Sequence, residues 1–183
     1  EELNRIEEGQ HCGFPYQFSN QKQKPYAYTP EPPAGIKFIL PIANEGPAAG
    51  GAKREPLYTF DPHSSPAGIV FLGKEFPAEY RGTFLLARFG NLLKKPRDVG
   101  FDVLQVRLKT EGTAEITTLL SALGRPLDIH LTGTAIYVLE YSRETNNSTE
   151  TGSLPGRVIE LLPSPRPPDA TDRVGSSLDG SAR

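Results

Sequence analysis

Residues 125–140, Arg-Pro-Leu-Asp-Ile-His-Leu-Thr-Gly-Thr-Ala-Ile-Tyr-Val-Leu-Glu, read as strand, tight turn and strand. Pro126 has no N–H to give to a ladder, which places it at the first position of its strand, with Arg125 entering from a loop. Leu127, Ile129 and Leu131 alternate with Asp128 and His130, the period of a strand with one buried face. Thr132-Gly133-Thr134 supplies the hairpin connection. On the return strand Ile136, Val138 and Glu140 point away from Ala135, Tyr137 and Leu139. A strand pair led by a loop arginine indicates a module of a repeated all-β protein that holds a ligand at its loop face.

Working outward, further strands are expected at 67–72, 82–89, 101–108, 114–120 and 157–162, separated by Pro, Gly and charged turns. Charged and polar residues interleave with apolar ones in 101–108, which reads as an outer strand. Residues 1–20 read as the end of one strand followed by a glycine-proline turn. The stretch 21–56 is almost strandless and rich in Pro and Gly. It is either an insertion over one face or a surface loop. Asn146–Ser153 is a polar loop, and 164–183 a Pro/Ser/Gly-rich linker or tail. The two strand units begin about 60 residues apart, longer than a minimal propeller blade but compatible with decorated blades. Four-stranded units around a channel are the propeller plan, and a two-sheet sandwich is the runner-up.

With 183 residues the chain holds one sizeable core, and its 18 Gly and 18 Pro favour short strands over long helices. A net charge of −2 gives no basic field for nucleic acid. No apolar run approaches the roughly 20 residues of a membrane span. Cys12 is the only cysteine, so an internal disulfide and a Cys-x-x-Cys metal cluster are excluded. Gly-x-Ser-x-Gly, Walker-type and His-Glu-x-x-His motifs do not occur.

Glu1-Glu-Leu-Asn-Arg-Ile-x-x-Gly-x-x-x-Gly-Phe-Pro15 resembles the Asp-Glu-(Leu/Ile)-Asn…Gly-x-Asn-Tyr-Gly-Trp-Pro segment of the soluble glucose/sorbosone dehydrogenases. Ser65-Pro-Ala-Gly-Ile-Val-Phe71 and Phe76-Pro-Ala-Glu-Tyr-Arg-Gly-Thr-Phe-Leu85 look like that family's Pro-Ser-Gly-Leu-x-Phe-Tyr…Phe-Pro…Tyr-Arg-Gly pattern. Gly124-Arg-Pro-Leu-Asp-Ile129 with Ala135-Ile-Tyr-Val138, then Gly152–Glu160, are similar to its last units. The likeness runs in order over 1–163. These enzymes are six-bladed propellers that use pyrroloquinoline quinone (PQQ) and calcium. The resemblance implies a partial propeller: about two blades plus the end of a preceding one, from a longer periplasmic or extracellular parent. That parent would oxidise an aldose sugar by hydride transfer to PQQ and pass electrons to an acceptor such as a cytochrome. The family's catalytic histidine would precede Glu1, so these residues alone would not turn over. Unpaired blade edges would make them poorly soluble or oligomeric.

Carried over residue by residue, Arg125 matches the arginine that contacts the quinone's carboxylates, a task suited to a planar bidentate fork. His63, in the loop entering an inner strand, is a second cofactor-contact candidate; its alternative is a turn histidine bonded to local backbone. Glu1 and Glu2, with the Cys12 carbonyl, match a structural calcium site of hard oxygen ligands. The sequence departs from the family at Leu127 and Leu72, which stand where cations are expected, and Lys74 follows two residues after the latter. Arg88-Phe-Gly-Asn91 replaces a usual His-Gly-Ser. His11 beside Cys12 and His130 on the polar side of its strand read as structural. The departures favour an alternative: a cofactor-free propeller that binds a sugar or a protein. A lactonase-type metal propeller lacks a recognisable ring of Asp, Glu and Asn ligands.

Overall fold

A computed structural model of the chain describes residues 1–19, 27–48, 59–91, 99–109, 112–142 and 155–162. The expected polar loop at 146–153 and the tail at 164–183 lie outside the described residues. The strands are β1 (Ala43–Asn44), β2 (Pro66–Leu72), β3 (Thr83–Arg88), β4 (Asp102–Leu108), β5 (Thr113–Leu120), β6 (Pro126–Thr132), β7 (Ala135–Glu140) and β8 (Arg157–Leu161). They form two open sheets, in the orders β1-β5-β4-β3-β2 and β6-β7-β8. Among the described residues there is no helix, so the protein is all-β.

β2 to β5 are an antiparallel meander, and β1 adds to the far edge of β5 in parallel, through Ala43↔Thr113 and Asn44↔Ala114. That short parallel contact belongs to the stretch expected to be almost strandless. It is a two-residue pairing with no alternation of its own for the eye to find. Residues 1–10 carry no strand, contrary to expectation. They are held by isolated bonds, the Glu1 carbonyl accepting from the Thr59 and Phe60 N–H groups and the Leu3 carbonyl from Ile42 N–H.

Alternation along β3 and β4 divides the core. Leu85, Ala87 and Val103 face one way, joining Leu72, Phe76, Ile129, Ile136 and Val138 between the two sheets. Leu86, Leu104 and Val106 face the other way, under Phe60 and Ile42. Each fully buried aliphatic or aromatic side chain stabilises by about 1.5–3 kcal/mol relative to exposure, so these two layers are the main source of stability. The reading of 101–108 as an outer strand is therefore corrected: β4 lies between β3 and β5 and buries both faces. Its polar residues are satisfied by the turn before β3 and by the first residue of β3. Gln105 donates to the Thr83 hydroxyl (3.2 Å) and the Glu79 carbonyl (3.0 Å), and Arg107 donates to the same carbonyl (2.6 Å).

The second sheet lies on β2 and β3 through β6. Gly68 permits the close approach. A Cβ there would stand 2.6 Å from the Asp128 Cα and 2.8 Å from the Ile129 nitrogen, both backbone atoms that cannot rotate away.

The two sheets repeat one construction. β2 and β6 each open on a proline (Pro66, Pro126), each follow a residue in the left-handed region (Ser65, φ 49°; Arg125, φ 61°), and each shift register directly afterwards. Phe89 and Gly90 N–H donate to the Ser65 and Ser64 carbonyls, as Tyr141 and Ser142 N–H donate to those of Arg125 and Gly124. The repeat extends to charge. Pro66, Arg88 and Asp102 share one cross-strand row, and Pro126, Glu140 and Arg157 share the corresponding row of the second sheet. Each row carries an ion pair, with the signs exchanged.

Candidate functional site

The starts of β2, β4, β6 and β8 and the ends of β3, β5 and β7 lie at one end of the two sheets, where the connecting loops converge. Non-glycine residues in the left-handed region gather there: His63 (φ 66°), Ser65, Phe101 (φ 60°), Ala122 (φ 57°) and Arg125. Such conformations cost of order 1–3 kcal/mol each and persist where the surroundings over-determine them, often at binding sites. The surroundings here are a lattice of main-chain bonds. Leu123 N–H donates to the Phe101 carbonyl (2.9 Å), Phe101 N–H to Arg88 (2.9 Å) and Asn91 N–H to Val99 (3.2 Å).

Arg125 sits at the centre of this end and is only 6% exposed. Its guanidinium carbon is 4.8 Å from the Phe101 ring centroid and 5.1 Å from that of Phe89, so the cation is held between two aromatic faces. Nη1 donates to the Asn91 carbonyl at 3.3 Å. Tyr141 continues the aromatic row, its ring 5.9 Å from Phe89. The arginine singled out from sequence thus reaches from the second sheet into the loops of the first. Its first task is to fasten the two together.

Two ion pairs flank it. Arg88 donates from Nε to Asp102 Oδ1 (2.8 Å) and from Nη2 to Oδ2 (2.5 Å), with both side chains nearly out of solvent. Glu140 is buried and accepts from Gly124 N–H (2.5 Å) and from the half-exposed Arg157. The adjoining carboxylate, bonded to Nε, raises the Arg157 pKa further above its ordinary value. In the sequence Asp102 and Glu140 each look like any polar position in an alternating strand, so local pattern does not single them out. The only signal was that both fall at a strand end, Asp102 two residues after Gly100 and Glu140 next to Tyr141.

The other candidates are distributed more widely. His63 is exposed, and its backbone N–H donates to Glu1 Oε1 (3.2 Å). Glu2 turns elsewhere, accepting from Ser19 N–H (2.6 Å) and the Asn4 amide (3.1 Å). Cys12 is half-buried beside His11, whose ring lies against Tyr16 and Phe38 and accepts from Gly13 N–H. Among the described residues no three His, Cys, Asp or Glu side chains are grouped to hold a metal ion. Leu72 is wholly buried in the core between the sheets, Leu127 is 37% exposed, and Lys74 and His130 are exposed.

Away from the loop end, Tyr137 and Glu160 face each other across β7 and β8, and the phenol donates to Glu160 Oε1 at 2.6 Å. That bond, then desolvation and the carboxylate's charge, raise the Tyr137 pKa above 10.0. The folded-state value exceeds the unfolded one, so the bond's contribution is complete below about pH 10 and is lost as pH rises through the folded value. Ultraviolet titration of the folded chain is expected to show one tyrosine ionising late, and Glu160→Gln to bring it back toward the others. An unchanged profile in that variant would refute the assignment.

Comparisons with protein-family models, with curated proteins and with solved structures find no match for this chain.

Proposed function

We infer that the two sheets are neighbouring blades of a β-propeller whose loop end is the ligand face of a quinoprotein sugar dehydrogenase-like parent. The observation that carries this reading is the convergence of the repeated loops on Arg125. The repeat of antiparallel meanders, in sheets of five and three strands, supports the reading, because repeated antiparallel sheets are the units from which propellers are built. In this reading PQQ supplies hydride acceptance from an aldose, and the residues of this chain supply position and charge. A flat anion would come to the rim near Phe89 and Tyr141, where a cation withdrawn from water is less screened than a surface arginine. His63 lies on a loop entering the same end. Calcium at Glu1, Glu2 and the Cys12 carbonyl belongs to the same reading and would require both carboxylates to release their present N–H donors. An electron acceptor such as a cytochrome, and a periplasmic or extracellular address, go with the parent.

A second reading is favoured by Leu72. The resemblance wants a cation there, yet that side chain is completely enclosed by the core. Together with Leu127 it points to a cofactor-free propeller that binds a sugar or a protein.

Absorbance titration of the chain with PQQ, with and without calcium, separates the two. The dehydrogenase reading expects saturable binding. Arg125→Ala should weaken it about 10–100-fold, the worth of one charge-assisted contact of about 1.5–3 kcal/mol, and Arg125→Lys should weaken it less. In a longer parent, dye reduction over a panel of aldoses should require PQQ. A folded chain that binds no PQQ would overturn the first reading and leave the second.

A further inference from the structure

The contact between the two sheets has a direction. The first sheet presents the face carrying Leu85, Ala87 and Val103, and the second presents the face carrying Ile129, Ile136 and Val138. Because the two sheets repeat one construction, each has a second face equivalent to the one its neighbour uses. On the second sheet, Leu139 and Val158 are cross-strand partners pointing away from the core and are 43% and 61% exposed. On the first sheet, Ile69 and Phe71 pair with Leu86 and Phe84 and so share their face, yet are 46% and 53% exposed. Among the described residues Phe60, Ile42 and Leu3 cover the middle of that face, while its β2 edge and, at the far end of β4, Leu108 (44% exposed) stay open. That edge is the counterpart of β6, the strand through which the second sheet seats itself on β2 and β3.

We propose that these two open faces dock on each other between copies of this chain, head to tail. Ile69 and Phe71 of one copy sit on Leu139 and Val158 of the next, reproducing the contact already made between the two sheets of one copy. The faces differ, so the interface is heterologous, and repetition makes a ring if the rotation closes and a filament if it does not. The occupant is a second copy of this chain, because the contact it would make is the one the two sheets already make with each other. The inference rests on the repeat and not on the cofactor, so it stands or falls separately from PQQ binding.

Sedimentation velocity over a concentration series tests it. The wild-type mass should rise with concentration. Phe71→Glu and Leu139→Glu, both at exposed positions where folding is little affected, should each hold the monomer mass. A mixture of the two should form a dimer that stops growing, because each variant retains one intact face. A monomeric wild type would overturn the proposal. So would self-association of either variant, the result expected if the β8 edge or two like faces paired instead. If a variant loses the wild-type thermal transition, Ile69→Lys or Val158→Lys replaces it on the same face.

Discussion

Asp102→Ala is expected to destabilise the chain by about 3–5 kcal/mol, the cost of leaving one member of a buried ion pair without its partner. For a chain of this size that corresponds to a fall in melting temperature of roughly 6–20 °C. The reasoning turns on Arg88. Its Nε and Nη2 are both committed to Asp102, and its buried Nη1 already has no acceptor among the described residues. Removing the carboxylate leaves an entire guanidinium desolvated and unpaired, beside strands that cannot open to admit water without breaking the β3–β4 ladder. Replacing both members, Arg88→Met with Asp102→Leu, should cost less than Asp102→Ala alone, because it removes the stranded charge as well as the bond. Thermal or urea unfolding of the three proteins checks this. A single variant within about 1 kcal/mol of wild type would show that Arg88 finds another partner. The matching pair in the second sheet is more forgiving on its cationic side, since the Arg157 side chain is 43% exposed and water can replace Glu140 there.

Gly100→Ala should produce an effect of similar size by a different route. Gly100 has φ +88°, and a Cβ on it would stand 2.5 Å from the Gly90 Cα, 2.8 Å from the Gly90 nitrogen and 2.9 Å from the Ser64 carbonyl oxygen. Left-handed backbone costs an alanine about 1–2 kcal/mol. Overpacking adds about 1–3 kcal/mol, with no flexible side chain available to yield. The sum, roughly 2–5 kcal/mol, falls on the lattice that carries Arg125: Gly90 N–H to Ser64, Asn91 N–H to Val99, and Phe101 against the guanidinium. Gly133→Ala is the control. Gly133 also has positive φ, at the β6–β7 hairpin, but a Cβ there meets nothing within 4 Å, so only the backbone term remains. Equal melting temperatures for the two variants would contradict the close approach. A larger fall at Gly100, with altered near-ultraviolet circular dichroism from Phe89, Phe101 and Tyr141, would confirm it.

Much of the strand map was legible from local pattern. Pro126 marks a strand start because a residue without N–H cannot sit inside a ladder, and Pro66 opens β2 in the same way, one residue before the start expected from sequence. Ile136, Val138 and Glu140 share a face because a strand repeats every two residues. The charge-rich look of β4 misled for a physical reason. Gln105 and Arg107 are interior to the sheet in order but both reach the Glu79 carbonyl, and Gln105 the Thr83 hydroxyl at the start of β3, all more than 20 residues earlier. That Arg125 leads its strand pair from a loop was legible in the sequence, but its burial between Phe89 and Phe101 was not. Those rings belong to the loops of the other sheet, and no spacing within 125–140 refers to them.

The sequence by itself determined where most of the strands form and that the fold is all-β, because alternation, proline and glycine act within a few residues. It misplaced Leu127, expected on the buried face with Ile129, which the register shift after Pro126 leaves 37% exposed. Only the tertiary structure decided that β4 is central and that β1 closes the far edge. It alone showed that Arg88–Asp102 and Glu140–Arg157 are matching rows of opposite sign, and that Leu139 and Phe71 remain uncovered. Those facts depend on register between strands and on how one sheet settles on another. Such contacts join residues tens of positions apart, and their stability comes from burial that no single segment can supply.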